Sequence, residues 1–413
     1  MDLLLAGTGP AAGFPVPGCP CATCRSVCLA PPGSFTGLNR RGGRAPRRPA
    51  ELQLGGRYRV DIDGVLHGPN GTDHQLQGGD RLELPGLVVR ALAAADSPIS
   101  LLIHPDGDPP VLWAPQAGRL PEATVADLAG VELGMVILGP APDADPDELR
   151  DGPDLIECAL ALSRLRAIGA VHDRTACLLV GLGHRQGSAD RLVACLRHWR
   201  AQAPPDGTQL SSGNTEPGIA DALTAPSPAG RTLVLGGSAS GKSAVAEDLL
   251  AAEPEVLYTA TGPVVDLRTG PDAEWAQRVR RHRERRPGWW RTEETHQVAA
   301  LLAKVEQPIL LDSVGTWLTG VLDRAGAWSD QEGWRDRVAA ETDALVRAWR
   351  ARRGPLVAVS DEVGLSVVPG TSAGRLFRDE LGRLNRRLAD ESEQVLVVVA
   401  GRLLTSADVP TET

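Results

Sequence analysis

The stretch at residues 236–243 constrains the fold of this chain more than any other feature. It reads GGSASGKS and fits the pattern G-x-x-x-x-G-K-[ST]. An apolar segment, RTLVL, precedes it and a helix-forming segment, SAVAEDLL, follows it. In such a loop backbone N–H groups turn toward a polyphosphate, and the start of the helix adds a partial positive charge. The sequence therefore predicts a strand, a phosphate-binding loop and a helix, in that order.

The side chains of this loop have expected roles. Lys242 should reach the terminal phosphates of a nucleoside triphosphate, and the hydroxyl of Ser243 should be a ligand of Mg²⁺. A carboxylate at the end of a later strand should help to hold the metal, and PILLDSV supplies Asp312 there. The other loop residues are expected to cradle the nucleotide: Gly236, Gly237, Ser238, Ala239, Ser240 and Gly241.

Apolar strands alternate with amphipathic helices downstream of the loop. VLYTAT precedes a charged helix expected across 272–285, PILLDSV precedes a helix with a tryptophan, and PLVAVSDEV precedes a helix over 374–391. The segment QVLVVVAG closes the series. This alternation is typical of a parallel sheet with crossover helices. We expect a P-loop NTPase-type domain over 231–413, a parallel sheet flanked by helices.

The length of the chain indicates a second domain upstream. A chain of 413 residues is too long for one ordinary core. Residues 203–230 are rich in Pro, Gly, Ser and Thr and have little hydrophobic periodicity, so we expect a linker there. Residues 1–202 contain many short apolar runs, with helices expected late, at 154–168 and 187–202. The first domain is predicted to be a strand-rich α/β structure.

Charge and hydropathy exclude several classes of function. The net charge of −9 argues against a general nucleic-acid binder, because non-specific affinity for phosphate backbones needs a basic surface. No stretch approaches the length of apolar sequence that a membrane helix needs. The N-terminus lacks the basic region of a signal peptide. We therefore expect a cytoplasmic protein without a membrane span.

Six blocks in the C-terminal half carry a resemblance to a known family. In order they are LVLGGSASGKS, EVLYTAT, RVRRHRERRPGWWRTEE, LLDSVGTWLTGVL, SDEVGLSVVP and GRLFRDELGRLNRRLA. From about residue 231 to 404 the chain resembles the bifunctional adenosylcobinamide kinase/adenosylcobinamide-phosphate guanylyltransferase family of cobalamin biosynthesis. The resemblance implies two substrates, adenosylcobinamide and adenosylcobinamide phosphate, with ATP or GTP as donor and Mg²⁺ as cofactor.

The family's histidine block implies a covalent step. The histidine that takes GMP from GTP in that family matches His282 here, and a neutral imidazole nitrogen can attack the α-phosphorus. The kinase step would use Lys242. By the same resemblance, these residues would help to contact the guanine nucleotide: Thr261, Arg286, Pro287, Glu294 and Asp312.

Other roles in the C-terminal half stay open from the sequence. Asp361 and Glu362 are candidates for the general base of the kinase step, and are equally readable as structural acids at a strand end. Trp289, Trp290 and Trp317 are candidates for contact with the corrinoid, or for core positions. Relatives in this family are oligomers and often trimers, so the resemblance implies a homo-oligomer.

A cysteine cluster near the N-terminus carries a second resemblance. GTGPAAGFPVPGCPCATC resembles the start of metallo-β-lactamase-fold hydrolases of the phosphodiesterase type. Those proteins hold a structural zinc with three such cysteines and one late histidine, and thiolates with an imidazole suit tetrahedral Zn²⁺. Cys28 is left spare, and reduced cysteines without a metal are the alternative. The resemblance implies zinc ligands at Cys19, Cys21, Cys24 and His184.

The same half lacks the catalytic ligands of that fold. Active members need an H-x-H-x-D-H cluster and a bridging aspartate, and this chain has no such cluster. Gly181 stands where the catalytic histidine would be, and Gln116-Ala117-Gly118 where Asp-Thr-Gly is usual. We expect a degenerate αββα sandwich of the metallo-β-lactamase type, kept for structure, substrate capture or assembly.

Two other functions remain open. One is a small-molecule P-loop kinase without guanylyl transfer, which would form no GMP adduct on His282. The other is a regulatory protein that senses a corrinoid or zinc and binds nucleotide without turning over cobinamide. The intact histidine block argues against both.

Overall fold

The computed structural model divides the chain into two compact units. The first comprises Met1–Pro226 with Ala252–Pro254, and the second comprises Ser227–Ala251 with Glu255–Thr413. The residues that the structure describes are 1–17, 19, 21, 24–25, 46–92, 98–141, 155–183, 189–212, 230–262, 277, 280, 283–365 and 367–404.

The described part of the first unit has twelve strands and three helices. The strands are β1 (Asp2–Gly7), β2 (Glu51–Leu54), β3 (Tyr58–Val60), β4 (Val65–His67), β5 (Asp73–Gln75), β6 (Arg81–Leu84), β7 (Leu87–Leu92), β8 (Ser100–Pro105), β9 (Val111–Ala114), β10 (Met135–Leu138), β11 (Ala176–Leu179) and β12 (Thr208–Ser211). The helices are α1 (Glu122–Asp127), α2 (Ile156–Ala167) and α3 (Ala189–His198).

The strands of this unit form two six-stranded sheets around one core. The orders are β12-β1-β2-β3-β4-β5 and β11-β10-β9-β8-β7-β6. Leu52 and Leu54 of the first sheet share a buried cluster with Trp113 and Ile137 of the second. Leu112, on the other face of the second sheet, is also fully buried, so that sheet is covered on both faces. These features agree with the expected sandwich of two sheets. Helices α2 and α3 lie within the two predicted ranges, whereas α1 was not predicted.

The predicted linker is partly wrong. Residues 203–230 were expected to carry no secondary structure, but Thr208–Ser211 is a strand that pairs antiparallel with β1, with Leu210 opposite Leu3. Leu210 is 8% exposed, because it extends the apolar face that β1 presents to the core. Leu210 is the one apolar residue of TQLS, so the sequence shows no apolar pattern that would predict a strand there. Residues 213–229 lie outside the described residues.

The described part of the second unit has seven strands and five α-helices. The strands are β13 (Arg231–Gly236), β14 (Leu257–Ala260), β15 (Arg291–Glu294), β16 (Ile309–Asp312), β17 (Leu356–Asp361), β18 (Gln394–Val399) and β19 (Arg402–Leu404). The helices are α4 (Lys242–Leu249), α5 (Val298–Lys304), α6 (Val314–Ala325), α7 (Trp334–Ala351) and α8 (Ser372–Asp390), with a 3₁₀ turn at Ala327–Ser329.

The predicted parallel sheet of the second unit is confirmed. Its order is β15-β14-β16-β17-β13-β18-β19, and every pair is parallel except the last, β18 with β19. Leu233 and Leu311 pack on one face with Trp317 of α6 and Trp349 of α7. The carboxyl ends of these strands therefore meet at one edge, where ligands bind in open parallel sheets. In the described parts of the chain no helix is long and apolar enough to cross a membrane.

An ion pair at the opposite edge gives a prediction of acid stability. Hydrogen bonds from Arg231 lower the pKa of Glu393 from its usual 4.5 to about 2. A carboxyl whose pKa is depressed on folding adds stability above its unfolded pKa and loses it as the pH falls toward the folded value. We expect Glu393→Gln to cost about 1 kcal/mol at pH 7, because the partly exposed pair is screened. The cost should shrink between pH 4.5 and pH 2.

Chemical unfolding at several pH values would measure this cost. Glu380→Gln is a suitable control, because Glu380 pairs with Arg383 one turn away on the same helix. A cost for Glu393→Gln that does not change with pH would contradict the prediction.

Candidate functional site

The phosphate-binding loop lies at the carboxyl edge of the second sheet. β13 ends at Gly236, and α4 begins directly after the loop, at Lys242. A Cβ atom on Gly236 would lie 2.5 Å from Ser240 Oγ and 2.7 Å from Val398 O, so only glycine fits there. Gly241 caps the helix with φ of 93°, a conformation that glycine adopts without strain. The chain thus forms a strand, a loop and a helix here in the predicted order, and phosphate binding by the loop stays a prediction.

The lysine of the loop contacts a carboxylate from a neighbouring strand. Lys242 Nζ donates to Gly237 O at 3.1 Å and lies 2.8 Å from Asp361 Oδ1. Asp361 is the last residue of β17 and is paired in register with Gly236 of β13. The strand pairing therefore places one carboxylate beside the ammonium group that would meet the terminal phosphates.

The structure separates the two candidate bases of the SDEV segment. The Glu362 carboxylate accepts from Gly364 N at 2.7 Å, and Glu362 N donates to Gly236 O. Glu362 thus stabilises the turn after β17, whereas Asp361 faces Lys242. Of the two, Asp361 is the one that faces the loop lysine, where a general base for the kinase step would be needed.

Asp312 ends β16 and accepts a hydrogen bond that the sequence did not predict. Tyr258 of β14 donates its hydroxyl to Asp312 Oδ2 at 2.8 Å. Burial raises the pKa of Tyr258 far above its usual range, and the negative charge of Asp312 raises it further. Tyr258 therefore stays a hydrogen-bond donor at any physiological pH and fixes the orientation of the Asp312 carboxylate. Neighbouring side chains of a strand point to opposite faces, so Tyr258 lies on the face of β14 opposite Leu257, which packs in the cluster around Trp317.

Arg286 of the histidine block contacts Tyr258 of β14. The guanidinium carbon of Arg286 lies 3.6 Å from the centre of the Tyr258 ring, in the geometry of a cation–π contact. Pro287 O accepts from Trp290 N in the following turn. His282, the predicted nucleophile, lies outside the described residues.

Glu294 ends the edge strand β15. Ala260 of β14 is in register with Glu294 on one side and with Asp312 on the other, so both acids lie along the same edge of the sheet. Glu294 Oε1 accepts from Arg283 Nη2 at 3.3 Å. A second arginine of the histidine block is thus held at this edge.

Thr261 is buried against the start of α6. It is fully buried, and its hydroxyl donates to Ser313 O at 2.6 Å and contacts Thr316 Oγ1 at 2.7 Å. Ser313 and Thr316 form the capping box that begins α6. The hydroxyl of Thr261 therefore holds the start of that helix, and a contact between Thr261 and the guanine nucleotide stays a prediction.

The three tryptophans that the sequence left open differ in exposure. Trp317 is 1% exposed and donates from its indole to His296 O, so it is a core residue. Trp290 is also buried. Trp289 alone of the three is exposed, at 41%. Only Trp289 therefore offers a ring to a bulky substrate in this arrangement.

The predicted zinc cysteines lie together in the first unit. The sulfur atoms of Cys19, Cys21 and Cys24 all lie within 4.8 Å of one another, a spacing that three ligands of one tetrahedral ion can adopt. Burial raises the pKa of the Cys24 thiol to about 12, and the neighbouring cysteines add to the shift. The three sulfurs fit a soft divalent metal such as Zn²⁺. The fourth predicted ligand, His184, and the spare Cys28 lie outside the described residues.

Gln116 is held by hydrogen bonds instead of serving as a metal ligand. It is buried, and its amide donates to Ile62 O at 2.9 Å and to Asp63 Oδ1 at 3.0 Å. An amide that donates to a carboxylate thus stands at the first position of Gln116-Ala117-Gly118, where Asp-Thr-Gly is usual in the proteins that this half resembles. The cysteine cluster is the only group of three or more possible metal ligands among the described residues.

Comparisons with known proteins match the second unit. The family model described as cobinamide kinase / cobinamide phosphate guanyltransferase matches residues 232–405. The "Bifunctional adenosylcobalamin biosynthesis protein CobU" of Salmonella typhimurium is 36% identical over 179 residues, 41% of this chain and 95% of that protein. The protein of the same description in Escherichia coli is 35% identical, with the same shares covered. CobP of Pseudomonas aeruginosa is 37% identical and is covered over 94% of its length.

One solved structure is similar to the first unit. A "New Diphosphatase from the PhnP Family" aligns over 51% of this chain and 97% of its own, with 16% identity and a TM-score of 0.29. A score this low establishes no shared fold, so the metallo-β-lactamase likeness stays a resemblance in sequence.

Replacement of Thr261 tests whether this residue is structural. We expect Thr261→Val to lower the free energy of unfolding by about 1–3 kcal/mol, because it leaves buried hydrogen-bonding groups at the start of α6 without a partner. The affinity for GTP, measured by calorimetry on the folded variant, should not change. Thr319→Val is the control, since that hydroxyl bonds only within its own helix to Gly315 O among the contacts described. A large loss of GTP affinity without a loss of stability would indicate direct nucleotide contact.

Proposed function

Because the chain belongs to the cobinamide kinase / cobinamide phosphate guanyltransferase family, we propose that its second unit phosphorylates adenosylcobinamide and then transfers GMP to the product. The observation that carries the proposal is the near-complete coverage of the relatives' length at 35–37% identity. The phosphate loop, with Lys242 beside Asp361, supports it independently.

In the kinase step, the loop would bind ATP or GTP and Lys242 would neutralise the terminal phosphates. The hydroxyl of adenosylcobinamide attacks the γ-phosphorus, and the bond to the leaving nucleoside diphosphate breaks. Asp361 is the better-placed carboxylate to accept the hydroxyl proton, since Glu362 is engaged in a turn. Ser243 and Asp312 offer the oxygen ligands that Mg²⁺ prefers, and the ion would offset charge on the phosphates.

In the guanylyl step, an imidazole nitrogen of His282 attacks the α-phosphorus of GTP and pyrophosphate leaves. A phosphate oxygen of adenosylcobinamide phosphate then attacks the same phosphorus, and the N–P bond breaks to release adenosylcobinamide-GDP and the free histidine. Arg283 and Arg286 lie in the block and would supply positive charge where the guanylyl group transfers.

The covalent intermediate is the test of this mechanism. We expect the protein, incubated with Mg²⁺ and α-³²P-labelled GTP, to retain label through denaturation and base and to lose it in acid, the behaviour of a phosphoramidate. His282→Ala should retain none, while its kinase rate with ATP stays measurable. His296→Ala is the matched control, because His296 lies in the same unit but outside the block.

The outcomes separate this mechanism from its alternatives. Kinase activity without label in the wild type would indicate a P-loop kinase alone. Nucleotide binding without turnover of cobinamide would indicate a regulatory protein. Label that persists in His282→Ala would place the nucleophile elsewhere.

For the first unit we propose a structural Zn²⁺ held by Cys19, Cys21, Cys24 and His184. The spacing of the three sulfurs supports it. We expect one zinc per chain by elemental analysis, and its loss in Cys24→Ser, because three-coordinate sites hold the ion far less tightly. Cys195→Ala, a buried cysteine of α3, is the control. Full zinc content in Cys24→Ser would contradict this site.

Assembly and location also stay proposals. The family resemblance implies a homo-oligomer, often a trimer among relatives, and the sequence pattern is that expected of a cytoplasmic protein. We propose that the first unit serves structure, substrate capture or assembly, and the labelling and zinc measurements on the full chain bear on these roles.

A further inference from the structure

A carboxylate is buried on the helix that follows the phosphate loop. Glu247 of α4 is 7% exposed, between the buried apolar residues Ala246 and Leu249. Charged side chains are rarely buried unless they are paired. Glu247 accepts from Arg285 Nε at 3.0 Å through one oxygen and from Arg285 Nη2 at 3.2 Å through the other. Such a two-point contact fixes the guanidinium in direction as well as in distance.

The partner of Glu247 belongs to the histidine block. Arg285 follows His282 by three residues, and Arg286, the next residue, stacks on Tyr258. Two adjacent residues therefore anchor the block: Arg285 binds to α4, and Arg286 contacts β14. Tyr258 in turn donates to Asp312. One connected set of polar contacts therefore runs from the helix of the phosphate loop to the carboxylate of the predicted metal site.

We propose that Glu247 is a positioning residue for guanylyl transfer: through Arg285 it fixes the described end of the histidine block, three residues after the predicted nucleophile His282. This inference rests on the proposed function. Glu247 itself contacts no reacting atom in this account. It acts because a nucleophile must be held close to its in-line approach, and a misplacement of about 1 Å can cost on the order of 100-fold in rate.

The position of the pair predicts which reaction it serves. Glu247 lies five residues after Lys242, which is about 7.5 Å along a helix. The phosphate loop has its own supports, which include the bond from Gly401 N to Ser240 O and the contact of Lys242 with Asp361. Loss of the Glu247–Arg285 pair should therefore loosen the histidine segment and leave the kinase site in place.

The experiment compares Arg285→Gln, Glu247→Gln and the double variant in the full chain. Single-turnover labelling by α-³²P-GTP reports the guanylyl step, and phosphorylation of adenosylcobinamide by ATP reports the kinase step. We expect each single change to slow labelling by about 10–100-fold. The double variant should be no slower than either single one, because both remove the same contact. Kinase kcat should stay close to that of the wild type in all three.

Conservative and control variants separate positioning from general stability. Arg285→Lys keeps the charge but offers one point of contact, so it should restore part of the labelling rate. Arg350→Gln removes a pair with Glu391 elsewhere in the unit and should affect neither reaction. Arg285 is half exposed, so its variants should fold even if Glu247→Gln does not.

Three results would overturn the proposal. Labelling that is unchanged in Arg285→Gln would make the pair incidental. A parallel loss of both reactions, with a lower melting temperature, would make its role structural. Additive losses in the double variant would mean that the two residues act separately. Failure of the proposed function itself is distinct, since the wild type would then take no label.

Discussion

The pairing of β13 with β17 on one side and β18 on the other is the constraint on which the candidate site depends. Its register sets Gly236 opposite Asp361 and opposite Val398, so that the loop begins between two fixed strand ends. Val398 O leaves no space for a side chain at Gly236, and Asp361 meets the ammonium group of Lys242. A slip of one residue in either pairing would turn every side chain of that strand to the other face. The register of these buried strands therefore sets which groups meet at the loop as well as the packing of the core.

Parallel strands bring parts of the chain that are far apart in sequence to one edge. Asp312, Glu294 and Asp361 end three different strands, and Arg283 of the histidine block bonds to Glu294. Two phosphate reactions can share such an edge because each strand supplies a separate group at its end. The polar contacts that join these groups lie on the face of the sheet that α4 covers. The apolar cluster around Trp317 lies on the other face.

The sequence alone predicts the backbone of the site well. The loop pattern, the strand before it and Asp312 at the end of a later strand are all where local rules place them.

The contacts that these residues make could not be predicted in the same way, because they depend on the order of the strands in the sheet. Nothing near Lys242 in the sequence indicates that β17, instead of β16, lies beside β13, so Asp361 could not be preferred over Glu362. Glu247 lies on a short helix of mixed composition, and the local sequence gives no sign of the arginine that pairs with it. Thr261 was assigned to the nucleotide by resemblance, although burial gives its hydroxyl a partner in α6. The strand β12 was missed for the same reason, since only its pairing with β1 makes Thr208–Ser211 regular.

The position of β12 determines where the chain can be cut between its two units. A cut after residue 202, at the start of the Pro-rich stretch, would remove the neighbour of β1 and leave a row of unpaired backbone groups along one border of the first sheet. Exposed borders of this kind recruit strands from other molecules, so the shortened protein would tend to aggregate for reasons unrelated to zinc or catalysis. Ser212 N also donates to Met1 O, which extends the pairing by one residue. Dissection of the chain into independent halves therefore has to leave everything up to Ser212 with the first unit.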